Sequence, residues 1–506
     1  MLSIGRQQEV LSRNILGMHH VDARIARKSS TSKVRRLPAA LVFIVATRLR
    51  SRRNRLTQSK AGRRPRVVAD RADKSICATI RDVKRRQFLT TLGAGTAAAF
   101  AQNRREPVGP PIPPDSPIGR LKSRKSEATP ISADERRSRL DQAQKLMRES
   151  KIDAICLAGG SSLDYFSGVH WGNSERMFLM VIPAKGDPFF VTPAFEEDRA
   201  REQIANGPWG AQPHVYTWNE DDSPSTLTAA GLKEWGVSTG RLGIEEKTPF
   251  VFAEALGKAA PALKIDSATA ITAGCRMIKS KHEVSLMRLG AEVTVEAYHA
   301  AWQMIREGMT QHEFGGLISA AHQRLGFPGG GGPQVGEYSA LPHGSVTPQQ
   351  IREGTIVLVD GGCSVEGYAS DITRTFVLGK PTDKMKRVFD IVHQAQSKAV
   401  ATARPGLPCE AVDAAARKVI VDAGFGPGYK YFSHRLGHGM GLDGHEWPYL
   451  VKGNKLPLVA DMTFSDEPGI YIKGEFGVRL EDDMHITENG AELFTRQSVS
   501  LEQPFG

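Results

Sequence analysis

Residues 355–376 read TIVLVDGGCSVEGYASDITRTF and set the architecture of the chain around them. Two β-rich runs carry Asp360 and Asp371, and Gly361-Gly362 between them is a turn signal, so a hairpin is predicted to bring both carboxylates to one point. Two carboxylates a few ångströms apart repel each other, and one of them takes a proton unless a metal ion neutralises the pair. The segment therefore predicts a hairpin that carries part of a metal site.

Three more candidate ligands stand in short motifs further along the chain. His438 lies in the glycine-rich run HRLGHGMGLDGHE, which disfavours a helix and lets the backbone approach a site closely. Glu467 precedes Pro468-Gly469, a pair favoured at the centre of a type II turn, which would fix the carboxylate at a strand end. Glu481 follows Arg479 by two positions, so both side chains are expected on the same face of a strand.

The five candidates form one chemically consistent set. Four carboxylates and one imidazole are ligands that suit Mn²⁺, Co²⁺, Zn²⁺ or Fe²⁺. The set contains no thiolate, so it does not indicate a metal that prefers sulfur ligands. Each residue alone has an ordinary structural explanation: an Asp-Gly pair is usually a turn, and a buried histidine usually belongs to a hydrogen-bonded core. Because five independent motifs agree in type and order, a metal site is the favoured interpretation.

These motifs resemble the catalytic domain of the pita-bread metallopeptidases, the family of methionine aminopeptidase, aminopeptidase P and prolidase, over about residues 276–495. The resemblance implies two divalent metal ions, with Mn²⁺ preferred over Co²⁺, Zn²⁺ or Fe²⁺. Their ligands would be Asp360, Asp371, His438, Glu467 and Glu481. In that family Asp371 and Glu481 match the bridging positions. An acidic residue at Asp466, where many members have an apolar one, departs from the family pattern.

The same resemblance assigns roles around the metals. His343 in LPHGS and His445 would hydrogen-bond the substrate and the tetrahedral intermediate, and His434 matches a histidine of the substrate pocket. Glu467 would move the proton of the nucleophile, and Arg479 would orient the neighbouring acids. The catalytic set is therefore predicted to include His343, His445, Glu467 and Arg479.

The fold class predicted for the whole chain is α/β (α+β). Helical and apolar extended stretches alternate over residues 131–275, beginning with a helix at 133–150, and this domain resembles the amino-terminal domain of prolidase, aminopeptidase P and creatinase. The pita-bread catalytic domain is predicted at residues 276–500. Its first helix carries an apolar stripe: Met287, Ala291, Val295, Tyr298, Trp302 and Ile305. The stretch GFPGGGGP at 326–333 lacks a phosphate-binding motif and is interpreted as a flexible loop.

Positive charge is concentrated at the start of the chain. Residues 1–101 hold 23 Lys and Arg against 5 Asp and Glu, out of 67 and 55 in all, so 44 basic and 50 acidic residues remain beyond them. The body of the protein is mildly acidic, which argues against a nucleic-acid partner. Residues 81–101, RDVKRRQFLTTLGAGTAAAFA, resemble a twin-arginine export signal. Export to the periplasm or the cell exterior is therefore expected, with no stable membrane insertion after the signal is removed.

The remaining segments have no predicted catalytic role. Residues 1–80 are interpreted as a basic extension that is disordered or arises from a start codon assigned too far upstream, and residues 102–130 as a proline-rich linker.

The function expected from the resemblance is hydrolysis of Xaa-Pro bonds, at the amino terminus of peptides or in dipeptides. Arg479, His434 and the first domain resemble the proline-selective branch of the family, so the expected substrates are peptides with proline in second position. A homodimer or higher homo-oligomer is also expected. Two alternatives stay open: a non-peptidase hydrolase, and a catalytically silent binding protein on the same fold. Creatinase works without metal, and the complete ligand set argues against that activity.

Overall fold

The structure is a computed structural model that describes residues 112–209 and 213–505. The predictions for the basic extension at 1–80 and the export signal at 81–101 lie outside the described residues. Within them, no helix combines the length and the apolar character needed to cross a membrane.

The first domain opens with the helix predicted at 133–150. Helix α1, Ala133–Ser150, begins at a capping box: the Ser132 hydroxyl accepts from the Glu135 N–H, and the Glu135 carboxylate accepts from the Ser132 N–H. The helix ends at Lys151, which adopts the left-handed conformation. Further helices are α2 (Ser161–Ser167), α3 (Glu197–Ile204), α4 (Pro224–Glu234), α5 (Phe250–Ala259) and α6 (Thr269–Arg276).

A six-stranded mixed sheet forms the centre of this domain. Its strands are β1 (Ala154–Leu157), β2 (Leu179–Pro183), β3 (Phe189–Pro193), β4 (His214–Trp218), β5 (Gly240–Ile244) and β6 (Leu263–Ser267), in the order β4-β3-β2-β1-β5-β6. The pairs β1/β2 and β2/β3 are antiparallel, and the other pairs are parallel. Every residue of β1, β2 and β3 is buried, as in a sheet covered on both faces.

The second domain consists of four long helices and a set of antiparallel strands. The helices are α7 (Lys281–Trp302), α8 (Gln311–Leu325), α9 (Asp383–Thr402) and α10 (Cys409–Asp422). The strands are β7 (Gly332–Val335), β8 (Ile356–Gly361), β9 (Ser364–Val365), β10 (Tyr368–Ala369), β11 (Ile372–Val377), β12 (Gly437–Gly439), β13 (Glu446–Leu450), β14 (Thr463–Asp466), β15 (Gly469–Ile472), β16 (Phe476–Arg479), β17 (Asp482–Ile486) and β18 (Ala491–Leu493).

The strands and helices of this domain pack as two halves. Sheet β11-β8-β7 shares a hydrophobic core with α7 and α8. Sheet β13-β12-β14-β17-β18 shares a second core with α9 and α10. The α/β (α+β) class predicted for the chain is confirmed by these two domains, and the domain boundaries given above stay predictions.

The predicted hairpin around Asp360 and Asp371 forms, but its turn lies elsewhere. Strands β8 and β11 pair antiparallel, with Thr373 opposite Asp360. The chain reverses at Glu366 and Gly367, whose φ angles are 49° and 86°, rather than at Gly361-Gly362. Backbone at positive φ suits glycine, which explains Gly367 at the turn.

Four other local predictions are wrong. The glycine run at 326–333 is not a free loop, because the Gly330 N–H donates to the Gly362 carbonyl at 2.9 Å and β7 begins at Gly332. A Cβ on Gly331 would lie 2.9 Å from a methyl of Val359, so this close strand packing requires glycine. Helix α7 ends before Ile305.

The predicted type II turn after Glu467 is also absent. Gly469 does not have the positive φ that such a turn needs, and it begins β15 instead. The proline-rich segment is not a free spacer from residue 112 onward. Ile118 is 1% exposed and belongs to the core shared with α7 and α8, and Arg124 lies 2.9 Å from Glu292 of α7.

Candidate metal centre

All nine sequence-predicted site residues line one cavity of about 160 Å³. Its lining consists of Pro342, His343, Asp360, Asp371, His434, Arg435, His438, His445, Glu467, Arg479 and Glu481. The ligand candidates come from both halves of the second domain. Asp360 lies near the end of β8 and Asp371 directly before β11, whereas His438 lies in β12, Glu467 directly after β14 and Glu481 directly before β17. The cavity therefore lies where the two halves meet.

The five candidates form two overlapping groups. Ligand atoms of Asp360, Asp371 and Glu481 lie within 4.8 Å of one another, and so do those of His438, Glu467 and Glu481. The Nε2 atom of His438 is 3.4 Å from Glu467 Oε1 and 3.8 Å from Asp371 Oδ2. Side chains far apart in sequence thus converge on two positions that share Glu481.

The electrostatics of this set fit a divalent cation. Burial and the neighbouring carboxylates of Glu481 and Asp360 raise the pKa of Asp371 well above its usual value. Burial and Glu481 do the same to the pKa of Glu467, and burial and Asp360 raise the pKa of Glu481 to about 8. Burial and the nearby His445 lower the pKa of His438 to about 3, which keeps its imidazole neutral and able to bind metal. Divalent cations would remove the repulsion that these carboxylates otherwise experience.

Hydrogen bonds around the ligands orient them toward the cavity. The Nδ1 of His438 lies 3.2 Å from the Gly439 carbonyl, to which a proton on Nδ1 would be donated. In that tautomer Nε2 carries no proton, and it is the nitrogen that faces the carboxylates. The Thr373 hydroxyl donates to Glu481 Oε2 at 2.6 Å and lies 3.2 Å from Asp360 Oδ1. Supporting contacts of this kind hold metal ligands in a productive orientation.

Four supporting residues were missed from sequence: Thr373, Ser465, Tyr471 and Asp483. The Asp483 carboxylate accepts from the Asp371 N–H at 3.2 Å, and the Ser465 hydroxyl accepts from the His438 N–H at 3.1 Å. Thr373, Ser465 and Asp483 each lie two positions from a predicted ligand in sequence. The period of two along an extended chain was therefore the signal that could have found them.

Arg479 contacts three parts of the cavity: the acids Asp360 and Glu481, the Tyr471 hydroxyl and the Pro342 carbonyl. It is 3% exposed, and its guanidinium lies 2.6 Å from Asp360 Oδ2 and 3.9 Å from Glu481 Oε2. It also donates to the Tyr471 hydroxyl at 2.9 Å and to the Pro342 carbonyl at 3.1 Å. Arg479 therefore contacts an acid of the cavity and the segment that carries His343, and its role in orienting the acids stays a prediction.

The histidines occupy distinct places in the cavity. The rings of His438 and His445 stack with centroids 3.6 Å apart, and a nitrogen of His445 lies within 4.8 Å of ligand atoms of His438 and Asp371. The assignment of His445 to substrate rather than metal stays a prediction. The Nε2 of His434 lies 2.7 Å from the Tyr471 hydroxyl, and burial together with the charge of Arg479 lowers the pKa of His434 to about 3.

Asp466, the acidic residue that departs from the family pattern, directly precedes Glu467 in the sequence. It is completely buried, and neither carboxylate oxygen has a hydrogen-bond partner among the residues described. Burial and the neighbouring Asp482 raise the pKa of Asp466 well above its usual value. Burial without a hydrogen-bond partner therefore disfavours the charged form of this side chain.

A second group of charged side chains, the interdomain cluster, includes two acids, Asp443 and Glu446, that flank His445 in sequence. It consists of Lys247, Arg276, Lys279, Asp443 and Glu446. Arg276 lies 2.7 Å from Asp443, Lys279 lies 2.9 Å from Glu446, and Lys247 lies 2.6 Å from Asp443. Burial opposes ionisation of Glu446, but Lys279 and Arg276 outweigh it, and the pKa of Glu446 is lowered. Every member of the cluster except Lys279 lines a second cavity of about 150 Å³, which shares His445 with the first.

Two family models match this chain in the order of its domains. The model described as the creatinase/prolidase N-terminal domain matches residues 139–278, and the model described as metallopeptidase family M24 matches residues 285–488.

Curated relatives and solved structures match over both domains. The Xaa-Pro dipeptidase of Lactobacillus helveticus is 32% identical over 374 residues, which make up 72% of this chain and 98% of that protein. The Xaa-Pro dipeptidase of Pyrococcus horikoshii is 37% identical over 360 residues, with 71% and 96% of the two chains covered. The crystal structure of dipeptidase PepE from Mycobacterium ulcerans superimposes with a TM-score of 0.69 at 32% identity, covering 74% of this chain and 99% of that one.

Proposed function

The chain belongs to metallopeptidase family M24, a family of metal-dependent hydrolases, and from that premise we propose that it hydrolyses the peptide bond before proline with two bound metal ions. The observation that carries this proposal is the complete ligand set in one cavity together with the linked group His434, Tyr471 and Arg479. The similarity to Xaa-Pro dipeptidases over nearly their full length supports it.

The metal ions would be held by the two overlapping groups of side chains. Asp360, Asp371 and Glu481 would hold one ion and His438, Glu467 and Glu481 the other, and Mn²⁺ is the proposed metal. When bound, a pair of such ions supplies Lewis acidity toward the scissile carbonyl and lowers the pKa of water.

The remaining steps fall to side chains of the chain itself. Glu467 takes the proton of the attacking water, for which its place in the cavity, 3.4 Å from His438, suits it. His445 and His343 donate hydrogen bonds to the carbonyl oxygen as negative charge develops there. Arg479 keeps the carboxylate of Asp360 fixed throughout.

Selectivity for proline is assigned to the wall formed by His434, Tyr471 and Arg479. Proline has no amide N–H and a fixed φ, and most peptidases do not cleave the bond before it. A pocket shaped for the proline ring can bind such a substrate with that bond in position for cleavage. A catalytically silent binding protein is disfavoured, because such a protein has no need of a complete ligand set.

Substrate assays on metal-loaded protein test the proposal. With Mn²⁺ supplied, Ala-Pro and Gly-Pro should be cleaved, and Ala-Ala and Gly-Ala should be cleaved much more slowly. Equal or faster cleavage of Ala-Ala and Gly-Ala would overturn the proline assignment and leave the metallopeptidase assignment intact. Failure to cleave any peptide, with metal content verified, would favour the non-peptidase alternative.

We also propose that the protein is exported through the twin-arginine pathway, on the basis of residues 81–101. Amino-terminal sequencing of the exported protein should find Gln102 first. Replacing Arg85 and Arg86 with lysine should keep the precursor in the cytoplasm, and unchanged export of that variant would contradict the proposal.

A further inference from the structure

His445 lies in the connection between β12 and β13, residues 440–445, and few contacts fix its side chain. The residue is exposed and its ring stacks on that of His438. Among the residues that the structure describes, none forms a hydrogen bond with its imidazole. His445 also lines the second cavity of about 150 Å³, so close packing does not support it on that side. The place of the imidazole therefore depends on the backbone that carries it.

Asp443, two residues before His445, is held by three side chains of the first domain. The Ser161 hydroxyl, at the start of α2, donates to Asp443 Oδ1 at 2.5 Å. The ammonium group of Lys247, which follows β5, lies 2.6 Å from Asp443 Oδ2. The guanidinium of Arg276, at the end of α6, lies 2.7 Å from the same oxygen. Because these three donors come from different elements and two of them are charged, the carboxylate is firmly fixed.

The residue that follows His445 is held as well. Glu446 begins β13, and its carboxylate accepts from Lys279 at 2.9 Å and from Arg276. Only Gly444 and His445 lie between the two anchored acids. Fixing both acids therefore restricts where the imidazole can lie.

We infer that Ser161 and Lys247 of the first domain are positioning residues, which act on the reaction through Asp443. By fixing that carboxylate they keep His445 where it can donate to the scissile carbonyl oxygen. The inference rests on the proposed function, which assigns His445 to that oxygen. A donor of this kind must lie within about 2.7–3.1 Å of the developing negative charge. A misplacement of about 1 Å can lower the rate by about 100-fold, so a small movement of the connection has a large effect.

The alternative role of these contacts is only to join the two domains. Contacts with that role would lower Tm when they are removed, and any effect on the reaction would not depend on His445. Positioning residues act through His445 alone. The location of the contacts favours positioning, because they converge on an acid two residues from this histidine.

A double-mutant cycle on manganese-loaded protein distinguishes the two roles. Ser161→Ala and Lys247→Gln, combined in one protein, leave the ion pairs of Arg276 in place. This variant should cleave Ala-Pro with a kcat lowered roughly 5- to 50-fold, at unchanged KM and metal content. In the His445→Ala background the same two substitutions should change kcat by less than about twofold, because the residue through which they act is gone. Lys247→Arg in place of Lys247→Gln should restore part of the rate.

The controls keep a failure of folding apart from a failure of the inference. His282→Gln removes another contact between the domains, with Glu135 of α1 at 2.8 Å, and His282 lines neither cavity. It should leave kcat unchanged. Tm is measured for every variant. Lys247→Gln alone, at a half-exposed side chain, provides the same cycle with less effect on stability.

Each outcome has a defined meaning. An unchanged kcat in the Ser161→Ala and Lys247→Gln protein would overturn the inference and leave the proposed function intact. An equal loss with and without His445 would also overturn it, and so would a loss of metal along with activity. No cleavage of Ala-Pro by wild type would instead count against the proposed function.

Discussion

The metal centre and the interdomain cluster are both groups of mostly buried charges, yet their charges are balanced in opposite ways. In the metal centre, burial and neighbouring carboxylates raise the pKa of Asp371. In the interdomain cluster, burial disfavours the charge of Glu446 too, but Lys279 and Arg276 prevail and its pKa is lowered. Burial of acids therefore does not by itself mark a metal site; a deficit of internal cations does.

The strongest test of this difference is removal of an acid from the metal centre. Asp371→Ala should abolish nearly all hydrolysis and reduce the bound metal, because Asp371 is assigned as a metal ligand. Elemental analysis and a peptide assay measure the two effects. Asp422→Ala, which removes an exposed acid paired with Lys418, is the control and should retain both metal and activity. Full activity in Asp371→Ala would refute the ligand assignment.

The next test separates the two histidines that stack on each other. His445→Ala should keep the metal content and lower kcat by on the order of 10²–10⁴, because His445 is assigned to the substrate carbonyl rather than to metal. Loss of metal along with activity would show that His445 is a ligand, as its distance from Asp371 and His438 permits. His299→Ala on the exposed face of α7 is the matched control.

Matched carboxylate-to-amide changes sharpen the comparison, because they should have opposite signs in metal-free protein. Glu446→Gln leaves buried positive charge without its partner and should destabilise the fold by about 3–5 kcal/mol. Asp371→Asn relieves repulsion and should stabilise the metal-free fold by on the order of 1–3 kcal/mol. Urea unfolding in the presence of a chelator measures both. If both variants changed the free energy of unfolding in the same direction, the proposed difference between the two regions would be wrong.

The stability of the metal-free protein should also depend on pH, by a smaller amount, because acids in the two regions have pKa values shifted in opposite directions. Because the pKa of Glu481 is raised from 4.5 to about 8, the folded state binds more protons than the unfolded state between these values. Stability from this group therefore falls as pH rises through that window. Glu446, whose pKa is lowered, contributes stability above pH 4.5 that is lost as pH falls. Unfolding curves at pH 5.5 and 8, with and without Glu481→Gln, isolate the contribution of Glu481, because that of Glu446 does not change over this range.

Much of the fold and the membership of the cavity could be predicted from sequence because the signals are local. A capping box starts α1 at the predicted residue, and five short motifs carry the ligand candidates. The family resemblance is confirmed by the matching family models and relatives.

Predictions failed where a distant partner determines the local conformation. The glycine run at 326–333 is ordered by β8 and by the Gly362 carbonyl, and neither contact can be read from the run itself. Tyr471 enters the site only because β15 pairs with β16, which places it beside Arg479. The interdomain cluster likewise depends on contacts such as that between Arg276 and Asp443, 167 positions apart.

Metal removal and return is the most direct test of the central claim that the carboxylate-rich cavity is a metal-dependent hydrolytic site. Purified protein would be stripped with a chelator, verified as metal-free by elemental analysis, and assayed on Ala-Pro before and after Mn²⁺ is added. Activity should disappear with the metal and return with about two ions per chain, and Asp371→Ala should not recover. Undiminished hydrolysis by protein shown to be metal-free would contradict the account.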